Sequence, residues 1–253
     1  MSTTFEGKRA LVTGGSRNLG PAIAHRLARA GMSVAVNYRT SRSEAEDLIT
    51  RLDTVGGQRH AAVAGDMTKP DDVEAVVSQT VTALDGPIDV LVNNTGPYGM
   101  TPFMDMDEDE WDRVWDGNAK ATYLATRSVV VGMQASGWGR IVNISAVSAF
   151  VRNRSIYGLA KAAVGILTEE LALELAPEIT VNAVAPGQIL ESLEDLGEFA
   201  ADWAEAVTAR TPAGRLATRA EVAEIVYLLC TPAFDLVTGS VIPVDGGLRL
   251  PRF

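Results

Sequence analysis

Seven short runs of strand-forming residues recur along the chain with longer helix-like stretches between them, and this alternation restricts the fold more than any other feature. The runs are RALVT (9–13), SVAVN (33–37), HAAVA (60–64), DVLVN (89–93), RIVNIS (140–145), ITVNAVA (179–185) and SVIPV (240–244). Most are apolar nearly throughout, as strands are when both faces are covered. The stretches between them predict helices over 21–30, 43–55, 70–84, 108–134 with a break, 156–175 and 219–229. Gly31 and Gly56-Gly57 stop the first two, and Pro70 opens the third. Strands alternating with helices build βαβ units. The expected fold is α/β, a single domain over 1–253 with a doubly wound, Rossmann-like parallel sheet and helices on both faces.

Composition narrows the class of partner. With 47% hydrophobic residues the chain has enough apolar mass for a large core. Its net charge of −10 argues against a sequence-independent grip on nucleic acid, which needs clustered cations, and against docking on anionic membranes. Cys230 is the only cysteine, so no intrachain disulfide forms and a reducing cytoplasm is the natural setting. The first residues hold no apolar stretch of signal-peptide length, and nowhere do 18 apolar residues run together. The expectation is a cytoplasmic protein that acts on a small molecule and holds no metal.

One connection is long. Residues 187–218, GQILESLEDLGEFAADWAEAVTARTPAGRLAT, are acidic and carry Leu193, Leu196, Phe199 and Trp203 at helix-like spacing. They read either as a surface helix pair or as a lid over a ligand, since long connections at the carboxyl ends of strands tend to be functional.

After the first strand comes TGGSRNLG (13–20), followed at once by a helix. A glycine-rich turn in this place lets the backbone approach a pyrophosphate at the helix amino terminus. At the end of the second strand, where a carboxylate usually holds the ribose of NAD, stand Asn37, Tyr38 and Arg39. No acid is present, while Arg17 and Arg39 are two cations suited to flank a 2′-phosphate. The pattern favours NADP.

From here the sequence resembles the short-chain dehydrogenase/reductase family nearly end to end. Thr13-Gly14 through Gly20 resembles the TGxxxGxG loop, Asp66 the acidic residue at the adenine, and NNTG (93–96) the NNAG motif. Asn118 stands at the helix asparagine position, Tyr157 and Lys161 match YxxxK, and APG (185–187) and VTGSVIPVDGG (237–247) match the later signatures. The resemblance implies a cofactor site formed by Gly14, Ser16, Arg17, Asn18, Leu19, Gly20, Tyr38, Arg39, Asp66, Met67, Asn93, Asn94, Thr95, Gly96, Tyr157, Lys161, Pro186, Gly187 and Ile189. It also implies a homotetramer or homodimer paired through the 156–175 and 122–134 helices. The 156–175 helix agrees with this, carrying small and aliphatic residues on more than one face.

Two positions depart from the family pattern. The second loop glycine is Asn18, a residue that enters left-handed conformations more readily than most. The serine expected after the fifth strand is Ala146, in NISAVSAFVRNRSIY. Ser145 neighbours it but points the opposite way if the strand stays extended, and Ser155 reads as a helix cap. Ser148 shares the parity of Ala146 and is the stand-in expected here; the alternative is that no serine serves and Tyr157 is the sole donor. Pteridine reductases, a branch of the family, are similar in the basic residue followed by a non-glycine in the first loop. They are similar also in an aromatic shortly after the NNA motif, here Tyr98, and in a non-serine at the serine position.

Residues four apart on a helix share a face, so Tyr157 and Lys161 point the same way. A free phenol releases its proton poorly at pH 7, and a nearby ammonium is expected to lower its pKa. Tyr157 would then give a proton to a carbonyl oxygen while a nicotinamide delivers hydride to the carbon. The resemblance adds that Lys161 holds the nicotinamide ribose and that Asn118 anchors a water resupplying the proton. The expected activity is NADP(H)-dependent carbonyl reduction, for a ketone, an aldehyde or a 3-oxoacyl group. The alternatives are pteridine or other C=N reduction and, from another class, a cofactor-binding scaffold with little redox activity because of Ala146. The substrate pocket is expected from 97–103, 149–154 and a lid within 188–210. Arg152 and Arg154 are candidates for an anionic group, whereas Glu191, Glu194, Asp195 and Glu198 disfavour a strongly anionic ligand under the lid.

Overall fold

The computed structural model describes residues 5–54, 56–151, 155–195, 197 and 201–250. Seven strands form one sheet: β1 (Arg9–Val12), β2 (Ser33–Tyr38), β3 (His60–Ala64), β4 (Val90–Asn93), β5 (Gly139–Ile144), β6 (Ile179–Pro186) and β7 (Val241–Val244). Their order is β3-β2-β1-β4-β5-β6-β7, and every pairing is parallel. The order reverses between β1 and β4, so the carboxyl ends of these strands open a crevice, the usual ligand position in such sheets.

Successive strand residues face opposite sides, and each side has its own core. Val12, Val36, Val92, Val142 and Val184 meet the helices α1 (Gly20–Arg29), α2 (Arg42–Arg51) and α9 (Arg219–Cys230). Leu11, Ala35, Leu91, Ile141 and Val181 meet α3 (Pro70–Leu84), α5 (Ala121–Ser136) and α6 (Ile156–Leu175). Helix ends follow local chemistry. The Ser155 hydroxyl accepts the Gly158 amide at 3.0 Å and caps α6, while Thr218 and Glu221 cap α9 reciprocally. Among the described residues no helix is long and apolar enough to cross a membrane.

Three expectations change. Helix α2 ends at Arg51, with Leu52 already extended, before the glycine pair is reached. The break in 108–134 is not an interruption: α4 (Glu108–Trp115) runs into α5 through a π-helical turn, Asp116–Lys120. The 187–218 connection holds α7 (Leu190–Glu194) and α8 (Ala201–Arg210), whose Leu193 and Val207 pack with Leu216 in a small core of their own. Trp203 does not join it and is half exposed, so Leu193 and Trp203 do not share one buried face. Leu196, Glu198 and Phe199 lie outside the described residues.

Candidate active site

The crevice begins with Thr13, at the end of β1. Its hydroxyl accepts the amides of Asn94 at 3.0 Å and Thr95 at 3.3 Å. The Asn94 side chain returns bonds to the carbonyls of Thr13 and Gly14 at 3.2 and 2.9 Å. From β2, Asn37 takes the Gly14 amide at 3.2 Å through Oδ1 and donates to the Gly65 carbonyl at 3.1 Å through Nδ2. Four strand ends are thus tied by side chains that replace missing backbone partners. Thr13 and Asn37, outside the expected site set, do most of this. Their signal was a polar residue closing an otherwise apolar strand.

Asn18 has φ +54°, so asparagine occupies the left-handed conformation expected of it. A Cβ on Gly20 would fall 2.5 Å from the Gly15 Cα, and one on Gly14 would fall 2.9 Å from Thr95 Oγ1. The glycines therefore let α1 and the β4 end close on the loop. Thr95 Oγ1 is buried without a hydrogen-bond partner. An unpartnered hydroxyl, a glycine cradle and the amino terminus of α1 together fit a dinucleotide pyrophosphate.

Further out, the Ser16 and Ser41 hydroxyls are 2.6 Å apart. Arg17 pairs with Glu44 of α2, and Arg39 lies 3.6 Å from Asp66. Partial burial pushes the Asp66 carboxyl up, but bonds from the Thr68 amide and hydroxyl, with the charges of Arg39 and Lys69, leave it below its ordinary range. An open groove of about 570 Å³ runs between Arg39, Gly65, Asp66, Lys69 and Asp72. Lys69 adds a cation that the sequence reading did not include. Two expected residues turn away from the crevice. The Met67 side chain packs in the core, and Asn93 is buried with its amide on Asn143 Oδ1 at 2.9 Å.

At the other end, the π-helical turn carries Asn118 inward. Its Nδ2 donates to the carbonyls of Val114 at 2.8 Å and Pro97 at 3.1 Å, while Oδ1 is buried without a partner. A Cβ on Gly96 would sit 2.1 Å from Asn118 Oδ1 and 3.1 Å from Lys161 Nζ. The π-helical turn and α6 therefore bring Asn118 and Lys161 together over Gly96. Lys161 donates to the Ile144 carbonyl at 2.7 Å, and its Nζ lies 5.6 Å from the Tyr157 ring centre. The Tyr98 ring stacks on Tyr157.

The electrostatics differ from the expectation. Burial, and then the adjoining Tyr98 phenol, push the Tyr157 pKa well above its ordinary value, so Lys161 does not lower it. Burial brings Lys161 itself down to about 7. Desolvation opposes the charged form of both groups, and the Lys161 ammonium spends its short bond on a carbonyl rather than on the phenol.

The serines also sort themselves. Ser145 Oγ donates to the Lys161 carbonyl at 2.9 Å and holds α6 to β5. Ser155 is the cap. Ala146 packs against Val114, Ile156 and Tyr157. The chain then turns into a 3₁₀ segment, Val147–Ala149, so strand parity does not orient Ser148. Its hydroxyl is nonetheless buried without a partner. Pro186 ends β6, and the Gly187 amide bonds the Val244 carbonyl at 2.9 Å. Ile189 bridges to Ala217 ahead of α7. Arg152 and Arg154 lie outside the described residues.

A parallel sheet with a glycine-rich first turn, facing a Tyr-x-x-x-Lys helix and an inward asparagine, defines a nicotinamide-linked oxidoreductase fold, and comparison with known proteins agrees. A family model described as enoyl-(acyl carrier protein) reductase matches residues 14–249. The 3-oxoacyl-[acyl-carrier-protein] reductase FabG of Staphylococcus aureus is 36% identical over 246 residues, covering 96% of this chain and 98% of that protein. A tropinone reductase homolog of Arabidopsis thaliana is 34% identical over 255 residues, 99% and 95% of the two chains. Among solved structures, a gluconate 5-dehydrogenase of Burkholderia cenocepacia in complex with NADP and tartrate superposes with a TM-score of 0.88 at 28% identity, covering 99% and 98%. A short-chain dehydrogenase/reductase of Serratia marcescens gives the same TM-score at 31% identity, covering 97% and 99%. The chain belongs to the short-chain dehydrogenase/reductase family.

Proposed function

We propose that the protein is a cytoplasmic, NADP(H)-dependent carbonyl reductase in which Tyr157 is the proton donor. The observation that carries this reading is the convergence of Lys161 Nζ and the unpartnered Asn118 Oδ1 over Gly96, beside Tyr157. The crevice fits a dinucleotide, with Gly14, Ser16, Asn18 and Gly20 at the pyrophosphate and Arg17, Arg39 and Lys69 near the outer ribose. When bound, the nicotinamide supplies hydride to the carbonyl carbon. Tyr157, kept protonated by burial, gives its proton to the carbonyl oxygen as charge develops there. Lys161 and Asn118 hold the reduced ring's ribose and the water that replaces the proton. Ser148 supplies a hydroxyl to the carbonyl in place of the absent serine; its buried, unbonded oxygen supports this role.

NADP as cofactor is supported by the missing acid at 37–39 and by the NADP-bound relative. Reduction of a pteridine or another C=N bond is the second reading, favoured by the aromatic Tyr98 at the proton donor. We also propose a homodimer or homotetramer paired through α5 and α6, which leave Tyr123, Val131, Leu159, Ile166 and Leu173 exposed. Light scattering at micromolar concentration reads this directly, and a monomer would overturn it.

The test of function is NADPH consumption at 340 nm over ketones, aldehydes, 3-oxoacyl thioesters and pterins. Turnover with NADPH at least about tenfold better than with NADH is expected. Tyr157→Phe should lose about 10³-fold in kcat. No turnover of any compound, with NADPH still bound, would leave the scaffold reading standing instead.

A further inference from the structure

Tyr98 belongs to no helix or strand, yet its ring lies nearly parallel to that of Tyr157, 4.1 Å between centroids and 17° between planes. Tyr157 keeps 8% of its surface, whereas Tyr98 is 61% exposed. One face of Tyr98 looks to solvent and the other closes the proton donor. The backbone beneath is pinned. Arg113 Nη2 donates to the Tyr98 carbonyl at 3.1 Å, and Asn118 Nδ2 holds the Pro97 carbonyl before it. After it, a Cβ on Gly99 would fall 2.6 Å from Val114 Cγ2 and 3.0 Å from Ile156 Cγ2. The main chain is thus held on both sides of Tyr98, whereas an exposed side chain turns about its own bonds within nanoseconds.

We propose that Tyr98 is a specificity-determining residue, a cover on Tyr157 that the substrate must displace, so that carbonyl compounds bearing a planar apolar group beside the carbonyl are favoured. This rests on the carbonyl-reductase reading above. With 8% of its surface exposed and the Tyr98 ring stacked on its face, Tyr157 offers a carbonyl oxygen little approach except past that ring. Displacing that ring exposes a flat aromatic face to water, at a free-energy cost that falls on every substrate alike. A flat, unsaturated substituent covers the face again, because rings pack best offset and face to face; a flexible aliphatic one covers it poorly. The site therefore discriminates by what replaces Tyr98.

Two measurements test this. The first is nitration by tetranitromethane at pH 8, followed residue by residue by mass spectrometry, which needs no turnover. Tyr157 should be protected in the wild type and in Tyr98→Phe, which keeps the ring, and should react about tenfold faster in Tyr98→Ala. Equal rates in the wild type and Tyr98→Ala would overturn the cover. The second is the ratio of kcat/KM for a phenyl ketone to that for an aliphatic ketone of similar size. The wild type should favour the phenyl ketone by about tenfold or more, and Tyr98→Ala should abolish most of that preference. An unchanged ratio would overturn the specificity role. If the wild type reduces no carbonyl compound, the reductase reading fails, while nitration still decides whether Tyr98 covers Tyr157.

Discussion

The two ends of the crevice are held in different ways. At the pyrophosphate end, Thr13, Asn37 and Asn94 fix loops to strand ends with side-chain bonds to main chain, and Thr95 Oγ1 alone among the groups placed there is buried without a partner. At the chemical end, polar groups are buried with few bonds: Asn118 Oδ1 and Ser148 Oγ have none, and Lys161 Nζ has a single carbonyl. Around them the surface carries exposed Tyr98, Met100, Met104 and Phe150. The difference follows from what the proposed function asks of each end. A pyrophosphate needs a rigid cradle of amides, and satisfied bonds make one. Proton transfer needs groups whose best partner is the reacting molecule, so their bonding capacity is left unspent, at a cost in stability.

That cost is the largest effect to measure. Lys161 is fully buried and brought down to about 7, far below its value in an unfolded chain. Between that pH and about 10.4 the unfolded chain holds a proton that the folded chain has shed, so Lys161 makes stability rise with pH across this window. Below pH 7 both states are protonated and the full penalty of the buried charge remains. The wild type should therefore gain about 3 kcal/mol over Lys161→Met between pH 6.5 and 9.5 in urea unfolding without cofactor. Tyr157 and Cys230, whose raised values act in the opposite direction as pH climbs, are common to both proteins and largely cancel in the difference. A flat difference would mean that the chemical end is as well satisfied as the cradle.

The cradle was the more legible end in the sequence for the same reason. Strand positions, sheet class, the glycine loop and the left-handed Asn18 each depend on local chemistry: apolar runs, turn residues, the steric needs of one φ. Lys161 and Asn118 were found by motif, but not the π-helical turn that brings Asn118 over Gly96, nor the pKa values. These depend on how 96–118, 144–148 and 157–161 pack, and burial is a property of the assembled site. The stacking of Tyr98 on Tyr157, 59 positions apart in the chain, has no local signature. Lys69 was missed because its place in the groove becomes visible only when the β3 end is set beside Arg39.

The next effect separates the two ends by kinetics. If the buried hydroxyl of Ser148 bonds the substrate carbonyl, Ser148→Ala should lower kcat about 10²-fold and leave NADPH affinity unchanged. Steady-state kinetics with a binding titration reads both. Full rate in Ser148→Ala together with a gain in Ala146→Ser would show that the site runs without a serine, and that the unbonded Ser148 oxygen is only a cost of the 3₁₀ turn.

The smallest effect probes the far end of the cradle. Arg17 and Arg39 already face Glu44 and Asp66, but both guanidinium groups are largely exposed, and pairs made by such groups contribute little in water. Exchanging a carboxylate for a 2′-phosphate, with more charge and more acceptor atoms, therefore releases the guanidinium groups cheaply and favours the phosphorylated cofactor. Arg39→Asp puts a negative charge where that phosphate would lie, beside Asp66. NADPH should bind about tenfold more weakly, close to 1.4 kcal/mol, while NADH binds as before or slightly better. With cofactor saturating, kcat should not move, because Arg39 and Tyr157 share no partner and distant, independent sites add. Equal losses for both cofactors would remove the argument for NADP. A fall in kcat at saturation would show that the cradle and the chemical end are coupled, and the separation drawn between them would fail.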